Sequence, residues 1–342
     1  MPTQSNTADK PVVTILLTPQ MRAQLIPPAA EKRLAEVATV VAPGEGELVP
    51  GNLARLLDGA TVVITGWGTP RLDEALLAKS ASLKLVAHAA GSIRQLVPFS
   101  EIENGRVRVT HSAVHIGEAV CEFVMAQIFH FLRHPAELAD GMKAKEPWFA
   151  LRSRLLGRLL GSQAVGLAGA GYIGRMIIGQ LRAFNARIRI YDPYLKADDA
   201  KKLGVELASL DEILRDSDII SLHVPSLPET RHMIGAAQLA MVKDGALFIN
   251  TARGALVDEA ALIEELRKGR FTAVLDVYET EPLPDDSPLR TLPNAILAPH
   301  AAGHTHETYL RQGATAVDES TQFLTGKPLK HEVTTAMLAT MA

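Results

Sequence analysis

The sequence predicts an α/β protein of two domains, each a doubly wound parallel sheet, with a cleft between them. Short apolar runs alternate with amphipathic stretches along nearly all of the 342 residues, as in repeated strand and helix units. Runs such as AVGLA and DIISL are almost entirely apolar, which indicates strands that helices cover on both faces. The length indicates two domains, because a usual domain has about 150 residues.

Composition and charge restrict the function classes. With 47% apolar and 21% charged residues, the chain is typical of a folded globular protein rather than a disordered one. A net charge of -3 gives no overall attraction to nucleic acid or to an anionic membrane. The apolar runs are also far shorter than the roughly 20 residues that span a bilayer. We therefore expect a small-molecule partner, no nucleic acid and no membrane.

Cysteine content and the first residues predict the compartment. The single cysteine, Cys121, cannot form an intramolecular disulfide, which favours a reducing environment. The opening stretch MPTQSNTADK is polar and lacks the apolar core of a signal peptide. The expected location is cytoplasmic.

The first third of the chain predicts a small sheet. Its strands are expected at Val12–Leu17, Ala60–Thr65, Leu83–Ala87 and Val107–Thr110, with helices near Ala29–Ala38 and Arg71–Ala78. From Ile116 to His134, apolar residues recur at helical spacing, and Pro135 ends the pattern. This long helix is the predicted crossing into the second domain.

The segment Pro147–Gly161 predicts a linker folded against the surface. It combines Trp148 and Phe149 with arginines and two glycines, which suits an irregular connection. Its charges allow an RNA-binding hypothesis. A solvated basic connection is preferred, because the run is short and no wider basic field accompanies it.

The rest of the chain predicts a larger sheet. Six strands are expected at Ala164–Ala168, Arg187–Tyr191, Asp218–His223, Ala246–Asn250, Thr272–Asp276 and Ala295–Ala298. A helix at Glu307–Leu324 is expected to pack back on the first domain. The predicted domains are residues 1–115 together with 308–342, and residues 116–307.

A glycine-rich turn follows the first strand of the larger sheet. The sequence GAGYIG at residues 169–174 fits the GxGxxG motif in its strand, turn and helix context. The first glycine allows the tight turn, the second lets the backbone approach a pyrophosphate, and the third lets helix and strand pack closely. The motif predicts a Rossmann-like dinucleotide site with cofactor-binding positions at Gly169, Gly171, Tyr172, Ile173 and Gly174.

An acidic residue indicates which dinucleotide binds. Asp192 ends the next strand, about twenty residues further on, where a carboxylate binds the ribose 2′-hydroxyl and repels a 2′-phosphate. This favours NAD over NADP. The alternative is an ordinary glycine turn with a solvated carboxylate at the strand end.

Polar residues end several strands of the larger sheet. His223, Arg253, Asp276 and His300 all fall at or just after a strand's carboxyl end, where ligands bind in open α/β sheets. Arg253 is a permanent cation for an anionic substrate, His300 can carry a proton near neutral pH, and Glu281 adds a carboxylate. The three can form a catalytic unit. Taken singly, each also has a structural explanation, as a surface charge, a hydrogen-bonded histidine or part of an acidic loop.

The sequence resembles the NAD-dependent D-2-hydroxyacid dehydrogenases. The resemblance rests on VGLAGAGYIG (165–174), SLHVPSLPETRHMI (221–234), FINTARGALVDEAAL (248–262), LDVYETEP (275–282) and APHAAGHT (298–305). The first third matches more loosely, through LKLVAHAAGS (83–92) and GEAVCEFVM (117–125).

The resemblance implies roles for the site residues. His300 would be the acid/base, Glu281 its partner, and Arg253 the group that binds the carbonyl and carboxylate of a 2-oxo acid. His300 and Arg253 therefore also count as substrate-binding residues, together with the backbone at Ala90, Gly91 and Ser92. The implied cofactor-lining positions are His223, Val224, Pro225, Thr251, Ala252, Arg253, Asp276, His300 and Gly303. A homodimer is implied as well.

The expected function is interconversion of a 2-oxo acid and a D-2-hydroxy acid with NAD, on a substrate like glyoxylate or hydroxypyruvate. One alternative is an NAD-sensing binding protein like the corepressors that share this fold, because fold does not fix function. Others are a phosphoglycerate dehydrogenase-like enzyme and a relative acting on formate or phosphite.

Some positions depart from the common family pattern. The substrate loop reads AAGSIRQ (89–95), in which Arg94 is either a cation for a second anionic group or a solvated side chain. Trp67, Gly68 and Thr69 are suspected of shaping the pocket. His304 lies in the pattern HxxxHxH, but no carboxylate or cysteine ligand accompanies it, so no metal is expected.

Overall fold

The computed structural model describes residues 10–338 and divides into two compact units. The first comprises the described residues up to Ile116 together with those from His304 onward, and the second runs from Gly117 to Gly303. Each unit has its own sheet, and every strand pair in both sheets is parallel. The predicted α/β class with two parallel sheets is confirmed.

The sheet of the first unit has five strands among the described residues. In chain order they are β1 (Val12–Ile15), β2 (Thr39–Val41), β3 (Ala60–Thr65), β4 (Leu85–His88) and β5 (Arg108–His111). They lie side by side in the order β2-β1-β3-β4-β5. The sequence analysis did not predict β2, an edge strand of three residues directly after α2, none of which is buried.

The sheet of the second unit has seven strands among the described residues, in the order β12-β11-β10-β9-β6-β7-β8. They are β6 (Ala164–Ala168), β7 (Arg187–Tyr191), β8 (Glu206–Leu207), β9 (Ile219–Leu222), β10 (Leu247–Asn250), β11 (Thr272–Leu275) and β12 (Ala295–Leu297). The six predicted strands are present, with ends within a residue or two. The seventh, β8, has two exposed residues at the sheet edge, so no apolar pattern marks it.

Helices cover both sheets and connect their strands. They are α1 (Pro19–Leu25), α2 (Pro28–Val37), α3 (Leu53–Leu56), α4 (Glu74–Lys79), α5 (Phe99–Glu103), α6 (Ala113–Arg133), α7 (Pro135–Lys143), α8 (Trp148–Arg154), α9 (Tyr172–Ala183), α10 (Ala197–Leu203), α11 (Leu210–Asp216), α12 (Ala236–Met241), α13 (Glu259–Arg267), α14 (His306–Leu324) and α15 (Thr335–Leu338). None of these helices combines the length and the apolar character that a membrane crossing requires.

The predicted linker at Pro147–Gly161 is wrong over half its length, because α8 occupies Trp148–Arg154. Pro147 stands at its N-cap, where a missing N–H costs nothing. Leu151 is buried and lies close to Gly141 in α7, so packing of one apolar residue holds the short helix. The arginines and glycines dominated the sequence pattern and hid this single buried position.

Helix α14 returns to the first unit, as predicted, and packs on α1, α2 and the strands β3 and β4. The contact with α1 requires a glycine. A side chain at Gly313 would overlap the carbonyl oxygen of Leu25, the last residue of α1. The absence of a side chain therefore sets how closely the two helices approach.

We predict that Gly313→Ala lowers the free energy of unfolding by about 1–3 kcal/mol or more. The new methyl group would overlap the backbone of Leu25, which, unlike a side chain, has no other rotamer to adopt. Gly179→Ala is the matched control. This glycine is also helical, in α9, but open space surrounds the position of its Cβ. The control should gain about 0.5–1 kcal/mol from higher helix propensity. Urea unfolding measures both variants, and equal stability of the two would contradict the packing argument.

Candidate active site

The glycine turn after β6 has little room for side chains. Gly169 has φ +100°, and a Cβ there would lie 2.5 Å from the carbonyl oxygen of His223. A Cβ at Gly174 would overlap the carbonyl oxygen of Gly169. Open space surrounds the Cβ position of Gly171, the N-cap of α9. The turn therefore presents bare backbone at the amino end of a twelve-residue helix, where a phosphate is attracted.

The two residues between the second and third glycines face different surroundings. The ring of Tyr172 lies against Gly117, at the side of the long helix α6, and Tyr172 is 53% exposed. Ile173 is half-buried and also approaches Gly117.

Asp192 lies directly beside this turn. One of its carboxylate oxygens, Oδ2, accepts a hydrogen bond from the Ala170 amide at 2.6 Å, and Oδ1 accepts one from the Tyr194 amide at 2.8 Å. These two bonds fix the carboxylate at the end of β7. A ribose bound over the glycine turn would meet it there.

The ends of β9 and β10 offer buried polar atoms to a ligand. Neither Nε2 of His223 nor Oγ1 of Thr251 has a hydrogen-bond partner among the described residues, although both atoms are buried. Burial lowers the pKa of His223 to about 3, so its ring is neutral at physiological pH. Buried polar atoms are normally paired, and these two lie after strands at the sheet edge where ligands bind, so they are available to a bound group. Val224 lies close to Gly169, and Pro225 accepts a hydrogen bond from Thr230.

Arg253 stands on a tightly held turn after β10. The buried side chain of Asn250 donates to the carbonyl oxygen of Arg253 at 2.9 Å and accepts from the Ala252 amide at 3.1 Å. A side chain at Gly254 would overlap the backbone of Tyr278. Burial lowers the pKa of Arg253 below its usual value, and the negative charge of Glu281 opposes that shift. An arginine still remains a cation at neutral pH.

His300 and Glu281 form a hydrogen-bonded pair. The distance from Nδ1 of His300 to Oε2 of Glu281 is 2.7 Å, and the other carboxylate oxygen accepts from the Tyr278 amide at 3.0 Å. The His300 side chain is 46% exposed and its backbone is left-handed, with φ +54°. With Nδ1 bound to a carboxylate, the second ring nitrogen, Nε2, is the one left for a reacting molecule.

Asp276 holds the turn that carries His300. Its two carboxylate oxygens accept hydrogen bonds from the amides of Ala301 at 2.6 Å and Ala302 at 2.9 Å. Asp276 is only 1% exposed, so it anchors this turn from within the protein. Gly303, another expected cofactor-lining position, ends the turn.

Tyr278 braces the same region. Its hydroxyl contacts the carbonyl oxygens of Leu275 at 3.0 Å and Ala298 at 2.8 Å. Burial and then the charge of Asp276 raise the pKa of Tyr278 to about 12, so it remains a neutral donor.

A cavity of about 610 Å³ opens beside the His300–Glu281 pair. It is largely apolar. Its lining consists of Tyr278, Glu281, Pro282, Leu283, Arg290, Leu297, Ala298, Pro299 and His300.

The expected substrate loop lies in the first unit, directly after β4. The Ala90 carbonyl accepts from the Ser112 amide at 2.9 Å. The amide of Gly91 has no partner among residues 10–338. A bare amide next to a fixed carbonyl can bind an anion, as the resemblance implies for Ala90, Gly91 and Ser92.

The departures from the family pattern have local partners. Arg94 lies over the ring of Phe99, 5.2 Å from its centre. His304 binds the Tyr309 hydroxyl through Nδ1 at 2.7 Å, and its ring centre lies 4.8 Å from that of Trp67. The Thr69 hydroxyl donates a hydrogen bond to the Leu16 carbonyl at 2.7 Å. Among residues 10–338, no three His, Cys, Asp or Glu side chains gather as a metal ion would require.

Comparison with known proteins decides the family. Residues 125–302 match the family described as D-isomer specific 2-hydroxyacid dehydrogenase, NAD binding domain, which is more than half of the chain. The chain belongs to this family. It is therefore an NAD-dependent oxidoreductase of 2-hydroxy acids, and the bare glycine turn and the unpaired atoms of His223 and Thr251 fit that cofactor.

Individual relatives agree with the family. The chain is 37% identical to a glyoxylate reductase of Aeropyrum pernix over 76% of this chain and 78% of that protein. It is 32% identical to a D-3-phosphoglycerate dehydrogenase of Methanocaldococcus jannaschii, over 92% of this chain but only 58% of that longer protein. A solved structure from Thermus thermophilus is 30% identical, with a TM-score of 0.78 over 94% of this chain and all of that one.

The sequence missed two residues that hold the site. Asn250 was not singled out, although it lies inside the FINTARG motif. The available signal was its place two residues before Ala252, because an asparagine side chain readily binds the backbone two residues further on. Tyr278 lies in LDVYETEP, where an aromatic residue after a strand looks like ordinary core. Both act through backbone contacts, which a search for reactive side chains overlooks.

We predict that Asp192→Ala weakens NADH binding by about tenfold or more and narrows the preference for NADH over NADPH, because a carboxylate that binds ribose and repels phosphate is lost. Fluorescence titration with each cofactor measures both effects. Asp198→Ala is the control, since this exposed aspartate lies on α10 and, among the described residues, makes no hydrogen bond to the glycine turn. Unchanged NADH affinity in Asp192→Ala would contradict the assignment.

Proposed function

We propose that this protein reduces a small 2-oxo acid, of the glyoxylate or hydroxypyruvate class, to the D-2-hydroxy acid with NADH. The observation that carries the proposal is the His300–Glu281 hydrogen bond, with the Arg253 cation close enough for Glu281 to influence it electrostatically. This chemistry needs three groups: an acid/base, a carboxylate that orients it, and a cation that binds the substrate. The relatives named as glyoxylate reductases support the substrate class.

The proton passes through His300. Glu281 accepts a hydrogen bond from Nδ1–H, which orients the ring and leaves Nε2 towards the substrate. The protonated ring then donates from Nε2 to the carbonyl oxygen of the substrate during reduction and accepts that proton during oxidation. Bound NADH supplies the hydride that reduces the carbonyl carbon.

Arg253 binds the anionic end of the substrate. Its planar guanidinium can hold the carboxylate and the carbonyl oxygen of a 2-oxo acid together, and it stabilises charge that develops on that oxygen. Asn250 keeps the Arg253 backbone in place for this role. The backbone of Ala90, Gly91 and Ser92 gives the carboxylate further hydrogen bonds.

The domain roles follow from these residues. The first compact unit is the proposed substrate domain, and the second, Gly117–Gly303, is the proposed NAD domain. The proposed cofactor residues are Gly169, Gly171–Gly174, Asp192, His223–Pro225, Thr251–Arg253, Asp276, His300 and Gly303. An enzyme is favoured over an NAD-sensing binding protein, because the relatives are named reductases and dehydrogenases.

We predict that Arg253→Ala lowers kcat/KM for every accepted 2-oxo acid by about a hundredfold or more, because a charge-assisted contact with the substrate is lost. NADH oxidation is followed at 340 nm with glyoxylate, hydroxypyruvate, pyruvate, phenylpyruvate, 2-oxoglutarate and 3-phosphohydroxypyruvate. Arg267→Ala is the control, since the one ion pair of Arg267 within residues 10–338 is with Glu264, and both side chains are exposed.

The panel also separates the substrate classes. Turnover of glyoxylate or hydroxypyruvate that depends on Arg253 would support the proposal. Preference for 3-phosphohydroxypyruvate would favour the phosphoglycerate dehydrogenase-like alternative. No turnover of any acid, despite NADH binding, would refute the proposed reaction.

The protein is proposed to act as a homodimer. Large apolar side chains are exposed on and just after α8, with Trp148 at 62%, Phe149 at 70%, Leu156 at 76% and Leu159 at 72%. Grouped exposed apolar side chains of this size are typical of a protein interface. A second copy of the chain is the partner that the family implies.

We predict that light scattering gives twice the 36.8 kDa chain mass, and that Trp148→Asp with Phe149→Asp gives the single-chain mass. Two buried charges at an apolar interface are strongly unfavourable. Tyr194→Asp, at a similarly exposed position, should leave the mass unchanged. A wild-type protein of single-chain mass would refute the dimer.

A cytoplasmic location is also proposed. The single cysteine, Cys121, is buried in α6, and burial raises the pKa of its thiol, so the reactive thiolate is disfavoured. A chain with one inert thiol suits a reducing compartment.

A further inference from the structure

We propose that His88 is a positioning residue for substrate binding, whose imidazole links Thr65 to the main chain of Ser92 and so fixes the loop of Ala90, Gly91 and Ser92. This inference rests on the proposed function, in which that loop binds the carboxylate of the 2-oxo acid. His88 lies outside the residues assigned to the reaction, and it does not touch the reacting atoms in this proposal.

His88 is the last residue of β4 and is 5% exposed. Its Nδ1 lies 3.0 Å from the hydroxyl of Thr65, the last residue of β3, which is its register partner in the parallel ladder. The ring also makes a hydrogen bond with the backbone of Ser92 that favours the protonated ring, as donation to a carbonyl does. The imidazole thus connects the end of the sheet to the far end of the loop.

The protonation state of His88 suits this arrangement. Burial, and then the neighbouring His111, lower the pKa of His88 to about 4, while the contact with Ser92 opposes the shift. At neutral pH the ring therefore carries one N–H. That N–H donates to Ser92, and the other nitrogen accepts from the Thr65 hydroxyl. Both ring nitrogens are occupied, so His88 has no free position for proton transfer to a substrate.

The hydrogen bonds to the loop's carbonyl groups also affect how strongly the loop attracts an anion. The Ser112 amide donates to the carbonyl of Ala90 at 2.9 Å, and its hydroxyl lies between the carbonyls of His88 at 3.3 Å and Gln312 at 3.2 Å. With Ser92 bound to the His88 ring, alternate carbonyls of the loop all face protein donors. An anion is repelled by carbonyl oxygens and attracted by amides such as that of Gly91. Releasing the Ser92 carbonyl would therefore weaken an anion site as well as loosen it.

The test compares His88→Leu with His88→Gln. Leucine makes neither hydrogen bond, whereas the glutamine amide has an NH2 group that can donate and an oxygen that can accept. We expect the KM for the best 2-oxo acid to rise about tenfold in His88→Leu, because the Ser92 carbonyl is released and the anion site is weakened. In His88→Gln we expect it to stay within about threefold of the wild type. The Kd for NADH and kcat should change little in both variants, since neither the cofactor residues nor His300 is altered.

Two further variants separate positioning from plain stability. His111→Gln alters the half-buried histidine opposite His88 on β5, which accepts from the Ala113 amide, so the Tm of this variant should fall while its KM is unchanged. Thr65→Val removes only the hydroxyl that His88 contacts and should raise KM by a smaller factor. Thr65→Val keeps the proposal testable if His88→Leu does not fold.

The outcomes are distinct. A wild-type KM in folded His88→Leu, or in Thr65→Val if that variant alone folds, would overturn the positioning role while leaving the proposed function intact. An equal rise in KM for His111→Gln would also overturn it, because general loosening would then explain the effect. Absence of Arg253-dependent turnover in the wild type would overturn the proposed function and this inference together.

Discussion

Parallel pairing in the seven-stranded sheet is the constraint on which the candidate site depends. In a parallel sheet, the carboxyl ends of all strands lie at one edge. The register aligns Asn250 of β10 with Leu275 of β11, and Leu275 with Leu297 of β12. The turns that carry Arg253, Glu281 and His300 therefore start from the same edge although 47 residues separate the first from the last of the three. An antiparallel strand among them would have sent one turn to the opposite edge.

Buried polar side chains hold these turns in place. The Asn250 side chain donates to the Arg253 carbonyl. Asp276 accepts hydrogen bonds from two amides of the turn after β12. Glu281 is itself held by a hydrogen bond from the Tyr278 amide. Such contacts are effective because an unpaired buried amide or carboxylate is costly, so each turn is stable in one arrangement. The proposed reacting groups can then be exposed, as His300 is, and still keep a fixed position. Catalysis by orientation requires this combination of fixed backbone and accessible side chain.

Much of this organisation was predictable from local sequence. The central strands were found because burial on both faces requires continuous apolar runs, and the glycine turn and strand-end polar residues were found because their meaning depends on their place after a strand. The edge strand Glu206–Leu207 has no buried residue, and helix α8 depends on one buried leucine, so neither left a pattern. Asn250 and His88 were missed for another reason. Their importance lies in which groups they hydrogen-bond, and for His88 one partner, the Thr65 hydroxyl, is 23 residues away in sequence.

The central claim is that Glu281 acts on the reaction through His300, and a double-mutant cycle on hydride transfer tests it most directly. Single-turnover oxidation of NADH is measured with saturating 2-oxo acid for the wild type, Glu281→Gln, His300→Gln and the double variant. If the hydrogen-bonded pair works as one unit, the double variant is no slower than His300→Gln alone. If the two losses multiply, Glu281 contributes independently of His300, and the account of the pair is wrong.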